Sequence, residues 1–139
     1  MTVVVDASVA LKWFMQEDGS EEAAGLFSGP DLLIAPDLIV AELANASWKA
    51  VRVGLLSPQQ QDQAAGRLGR LFDELVPLSV LAPRAVAISR ALSHAVYDCF
   101  YLALAEARSG TLVTADRRFL LRVAGTQWAD LARHLQPRH

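Results

Sequence analysis

The sequence predicts an α/β fold built on a central, mainly parallel sheet of four or five strands, and two features carry that expectation. Short β-branched or aliphatic runs at 2–5, 32–35 and 112–114 are separated by much longer stretches with helical spacing of apolar residues. Such alternation favours parallel strands, because a parallel return needs a long crossover that a helix supplies. The chain has 139 residues, 53% of them hydrophobic, with no repeat, linker or low-complexity tract. A single domain over 1–139 is therefore expected.

The first strand, 2–5, ends at Asp6-Ala7-Ser8 and passes directly into a helix carrying Val9, Leu11, Trp13 and Phe14. A short helix over 21–27 is closed by Gly29-Pro30. The second strand, 32–35, is followed by Pro36, read as a helix start, and then by a long helix over 37–53 with Gly54 at its end. Ser57-Pro58 supplies an N-cap and a first-turn proline for a helix running to about Val76, weakened by Gly66 and Gly69. A third strand is placed at 78–80, and Pro83 is taken to open a helix that reaches His94. The segment 97–109 is helical with apolar residues nearly all round, which implies burial on several sides. Gly110 ends it, 112–114 is the next strand, and 117–123 is a further helix. Over 125–139 the signal fades, with 128–135 reading as an edge strand or a terminal helix.

No apolar run approaches the roughly 18–20 residues of a membrane span, and Asp6 interrupts what a signal peptide would need. A cytoplasmic protein is expected. Cys99 is alone, which excludes an internal disulfide or a cysteine zinc cluster and suggests a buried free thiol. The net charge of −2 argues against a generic basic nucleic-acid binder.

Four carboxylates stand where carboxylates are costly. Asp6 follows Val3-Val4-Val5, Glu42 lies inside Leu38-Ile39-Val40-Ala41 and Leu43-Ala44, Asp98 opens the apolar run from Cys99, and Asp116 follows Leu112-Val113-Thr114. Burying ionised acids without a partner costs several kcal/mol each, so the pattern reads as a site for divalent metal. In open parallel sheets ligands bind beyond the carboxyl ends of the strands, the position of Asp6 and Asp116. Carboxylate oxygens are hard ligands suited to Mg²⁺ or Mn²⁺, and two such ions would bring the four acids to neutrality. Plainer readings stay open beside this one. Asp6 and Asp116 can serve as helix N-caps, Glu42 can pair with a basic residue across a helix interface, and Asp98 can pair with His94 at i−4. Arg117 and Arg118 adjoin Asp116 and can reach a phosphate or simply be solvated, while Trp13, Phe14, Trp48, Phe100 and Tyr101 read as core or interface. None of the three histidines is assigned to metal.

The segments VVVDAS at 3–8, APDLIVAELANA with its glutamate, YDCFYLALAEARSGTLVTAD at 97–116 and the RRF that follows resemble the PIN domain family, and within it the VapC toxin ribonucleases. The resemblance spans Val3 to about Phe119 with the order of all four acids intact. It implies a three-layer α/β/α fold and an endoribonuclease in which Asp6, Glu42, Asp98 and Asp116 hold Mg²⁺ or Mn²⁺ while water attacks a phosphodiester of single-stranded or loop RNA. Ser8 and Thr114 match hydroxyl positions near that site, where they would orient a carboxylate or a water of the ion. Homodimerisation and neutralisation by a small VapB-like antitoxin are implied as well. A phosphotransfer receiver would need paired acids near the first strand and a late lysine, whereas position 5 is Val5 and the only lysines are Lys12 and Lys49. A haloacid-dehalogenase-like phosphatase would need a second aspartate where Ser8 stands. A catalytically silent binding module would be favoured by loss of one acid, and all four are present.

Overall fold

A computed structural model describes residues 1–136; the last three positions of the expected domain, His139 among them, lie outside the described residues. Five strands form one sheet: β1 (Thr2–Val5), β2 (Leu32–Pro36), β3 (Glu74–Val76), β4 (Thr111–Thr114) and β5 (Ala132–His134). Their order is β3-β2-β1-β4-β5 and every pairing is parallel. The chain winds outward from β1 through β2 to β3, then returns to the other side for β4 and β5. That reversal opens a crevice at the carboxyl ends of β1 and β4, where Val5 pairs with Val113.

The helices are α1 (Ala7–Ala10), α2 (Ser20–Gly25), α3 (Leu38–Arg52), α4 (Pro58–Leu71), α5 (Leu78–Leu92), α6 (Val96–Ala107) and α7 (Arg117–Val123). Successive residues of a strand face opposite sides, yet Val3, Val4 and Val5 are all buried, as are Leu112, Val113 and Thr114. Both faces of the sheet are therefore covered, giving the three-layer α/β/α arrangement. Helix α6 lies against β1, β2 and β4 and packs along α5, while α3 pairs with α4. Its burial on several sides follows from that position: Tyr101, Leu102, Ala103, Leu104 and Ala105 are all inside. Cys99 is buried and free, and burial pushes its thiol up to about 11. No helix of the described residues is long and apolar enough to cross a membrane.

The middle of the chain departs from the sequence reading. The third strand is not 78–80 but Glu74–Val76, and α4 stops at Leu71 instead of reaching Val76. Asp73 decides this: its N–H donates to Leu33 O at 2.8 Å and its carboxylate accepts from Leu33 N at 2.8 Å, so the chain is extended onto β2 before Glu74. Leu78 then opens α5 directly after Pro77, and Pro83 lies inside the helix. An internal proline removes one i→i−4 hydrogen bond, but Leu81, Ala85, Ile88 and Leu92 form a buried stripe that keeps the helix continuous. Pro36 ends β2 rather than starting a helix. The faint C-terminal signal resolves into the parallel edge strand β5.

Gly110 is fixed by a close approach, since a Cβ there would stand 2.7 Å from Thr2 O in the neighbouring strand. Gly66, inside α4, has nothing within 4 Å of its missing Cβ. Gly110→Ala is expected to cost about 1–3 kcal/mol by overpacking, while Gly66→Ala stabilises by roughly 0.5–1 kcal/mol through helix propensity. Urea unfolding of the two variants checks the opposite signs; equal midpoints would refute the packing argument.

Candidate functional site

Asp6 is the residue that leaves β1 and caps α1, its carboxylate accepting from Val9 N at 3.2 Å and from Ser8 Oγ at 2.6 Å. Ser8 in turn accepts from Ala115 N at 3.0 Å, so one hydroxyl ties the end of β1 to the residue that follows β4. Thr114, fully buried, also favours the ionised form of Asp6 by hydrogen bonding, and it accepts the N–H of Asp116 at 3.0 Å. Asp116 caps α7 through the N–H groups of Arg118 and Phe119. The capping readings of Asp6 and Asp116 are thus realised, and both caps stand on the same crevice rim.

Glu42 lies on the second turn of α3, about half-buried, and accepts the hydroxyl of Tyr101 at 2.6 Å. Its partner is a buried phenol rather than a basic residue. Asp98, in the first turn of α6, is met by His94 Nε2 at 2.7 Å, the i−4 pairing, and the His94 ring packs against Phe119 at 5.1 Å between centroids. Asp98 is close enough to repel both other acids. Burial raises Asp6 to about 6 and Asp98 adds to the rise, against the hydrogen bonds from Ser8, Thr114 and Val9. Burial also raises Glu42, with the Tyr101 hydroxyl opposing and Asp98 adding. The Tyr101 hydroxyl is held firmly protonated by burial and by the carboxylates of Glu42, Asp6 and Asp98 around it. Three acids from β1, α3 and α6 therefore share one electrostatic environment, and Asp116 stands on the adjoining strand end.

Cavities flank this cluster on two sides. One of about 300 Å³ runs past Ser8, Glu42, Asn45 and Lys49; another of about 400 Å³ is bordered by Ala115, Arg117, Lys12 and His134. Arg117 and Arg118 are exposed at the start of α7, with Arg117 lining the larger cavity. Among the described residues, no three His, Cys, Asp or Glu side chains stand in metal-holding geometry. Asp98 turns one oxygen to His94 and Glu42 turns one to Tyr101. Among the described residues Asp98 Oδ1 and Glu42 Oε2 take no hydrogen bond. These are hard oxygen donors, and their chemistry fits Mg²⁺ or Mn²⁺.

Residues 3–125 match the PIN domain family. The chain belongs to the PIN domain family. Over 123 residues it is 38% identical to Ribonuclease VapC3 of Pyrobaculum aerophilum, covering 85% of this chain and 92% of that protein. It is 37% identical over 86 residues to Ribonuclease VapC1 of Mycobacterium tuberculosis, covering 60% of this chain and 62% of the relative. The solved structure of VapBC2 from Rickettsia felis bound to a DNA fragment from its promoter shares the fold, with a TM-score of 0.64 at 12% identity over 98% of this chain and all of that one.

One residue of this PIN domain's acidic crevice escaped the sequence reading, and a second was read only in part. Tyr101 was indistinguishable from core, although its place three residues beyond Asp98 puts it on the same helix face. His94 was weighed as a partner of Asp98, but its packing on Phe119 of α7 depends on the tertiary fold.

The raised Asp6 has a consequence for stability. Its folded value, about 6, exceeds the ordinary value of 3.8, so between those pH values the folded protein binds more protons and loses stability as pH rises. Above pH 6 the loss is complete, at most on the order of 3 kcal/mol at 1.36 kcal/mol per unit. Asp6→Asn keeps a competent N-cap. It is expected to raise the melting temperature of the metal-free protein at pH 7.5 and to flatten its fall between pH 4 and 6. A melting temperature unchanged or lowered by the substitution would contradict this.

Proposed function

We propose that this PIN domain is the ribonuclease toxin of a toxin-antitoxin pair, an endoribonuclease that uses Mg²⁺ or Mn²⁺ bound by Asp6, Glu42, Asp98 and Asp116 to cut single-stranded or loop RNA. The convergence of acids from separate elements on the switch-point crevice carries this reading. A ribonuclease relative that matches almost the whole chain supports it.

The chain's own residues act by placement. The Asp6 and Asp116 caps hold their carboxylates at the ends of β1 and β4, and Ser8 bridges the two ends. Ser8 and Thr114 orient Asp6 without neutralising it, because hydroxyls donate a hydrogen bond but carry no charge. His94 orients Asp98 from the other side. When bound, the divalent cation supplies activation of water and stabilisation of the leaving oxygen of a phosphodiester. The open crevice suits an unpaired strand better than a rigid A-form duplex, whose grooves admit side chains poorly. Arg117, exposed and next to Asp116 in the chain, is available to a phosphate of the polyanion. A VapB-like antitoxin is the proposed partner, in line with the VapBC2 complex that shares the fold. A homodimer and a cytoplasmic location complete the reading.

Two measurements test it. Millimolar Mg²⁺ or Mn²⁺ is expected to raise the melting temperature, since a ligand that binds only the folded state stabilises it. Antitoxin-free protein is expected to cut RNA loops only with metal, leaving 5′-phosphate and 3′-hydroxyl ends. Asp98→Asn and Asp116→Asn should each lower cleavage more than the roughly 10–100-fold that outer partners of a metal site cost. Undiminished activity in EDTA, or cyclic phosphate ends, would overturn the assignment.

A further inference from the structure

Tyr101 is one of the largest fully buried side chains among the described residues, 1% exposed, yet its hydroxyl is hydrogen-bonded. It donates to Glu42 Oε1 at 2.6 Å, across 59 residues of sequence and from one helix to another. Volume alone would be served by phenylalanine; a buried hydroxyl is retained where it has an acceptor. Glu42 has no other side-chain hydrogen bond and no basic partner among the described residues. A glutamate also carries three rotatable side-chain bonds, and fixing them for binding costs rotamer freedom unless something already holds the carboxylate. Tyr101 is such a holder. It is anchored by the core, and it follows Asp98 by three residues, so α6 presents the phenol and the Asp98 carboxylate on one face. Its hydroxyl also feels the charges of Asp6 and Asp98.

We propose that Tyr101 is a positioning residue of the acidic site, whose hydroxyl fixes the Glu42 carboxylate relative to Asp98 and Asp6 so that the three receive one divalent cation. The inference rests on the metal-site reading above and adds to it a residue that touches neither the cation nor the RNA.

The test deletes one atom. Tyr101→Phe keeps the ring in the core and removes the hydroxyl. Isothermal titration of the full chain with Mn²⁺ is expected to show affinity lowered roughly 10–100-fold, as for outer partners of metal sites. Cleavage should recover at saturating Mn²⁺, because the defect lies in holding the ion. In a Glu42→Gln background the same substitution should change Mn²⁺ affinity little, since the carboxylate it positions is gone. A second readout leaves Tyr101 in place: the chain has two tyrosines, so Tyr97→Phe protein made with 3-fluorotyrosine carries its label at position 101 alone. Its ¹⁹F resonance should shift on Mg²⁺ titration with the midpoint of metal binding. Wild-type Mn²⁺ affinity in Tyr101→Phe, an equal loss in the Glu42→Gln background, or a ¹⁹F signal indifferent to Mg²⁺ would each overturn the inference. In those cases Mn²⁺ still binds the wild-type protein and the metal-site reading survives. Absence of any Mn²⁺ binding to the wild-type chain removes both.

Discussion

The placement of β1 in the middle of the sheet, hydrogen-bonded to β2 on one side and β4 on the other, is the constraint from which the rest follows. A central strand covered on both faces has no solvent edge, so the residue that leaves it emerges at the rim with apolar groups on most sides. That residue is Asp6. The backbone turns sharply there into α1, and the carboxylate meets the turn by capping Val9 and accepting Ser8. Ser8 then accepts the Ala115 N–H, making the exits of β1 and β4 parts of one hydrogen-bonded structure. The crevice is therefore built by the same bonds that close the sheet.

The electrostatics of the crevice differ from those of the rest of the surface. Elsewhere several acids meet cations: Glu106 pairs with Arg84, Glu74 with Arg108 and Glu17 with Lys12, where such surface pairs contribute little to stability. In the crevice the acids meet neutral donors instead, namely the hydroxyls of Ser8, Thr114 and Tyr101. Asp98 meets the ring of His94. A neutral donor orients a carboxylate and leaves its charge uncancelled. Asp6, Glu42 and Asp98 near one another are unfavourable for the fold, which is the cost expected of the proposed cation site. Burial is the main cause that raises Asp6 and Glu42, and the charge of Asp98 adds to it.

Some features of this arrangement were legible from local sequence. Val3-Val4-Val5-Asp6 and Leu112-Val113-Thr114 carry their strand identity in composition, and a carboxylate or hydroxyl at the end of an apolar strand is a local signal. Helix α4 announces its start through the Ser57 N-cap and Pro58, to which the structure adds a capping box with Gln60. The segment from Phe72 to Pro83 was illegible for the opposite reason. Glu74-Leu75-Val76 has no strong strand composition and becomes a strand because Asp73 and β2 offer a ladder to it, while Pro83 sits within α5 because the buried stripe outweighs one lost hydrogen bond. Propensity at those positions is weaker than tertiary pairing.

The sequence by itself determined the α/β class, the order of the acids along the chain and the elements on which they ride, because periodicity and capping are local properties. Only the tertiary structure decided which groups meet: Glu42 with the Tyr101 hydroxyl across two helices, Ser8 with Ala115 across 107 residues, and His94 with Phe119. The physical reason is that orientation of a buried polar group depends on which donor the packing brings within about 3 Å, and that distance is set by the crossing of helices and the order of strands. Residue type told where a carboxylate would be costly. Packing told what holds it.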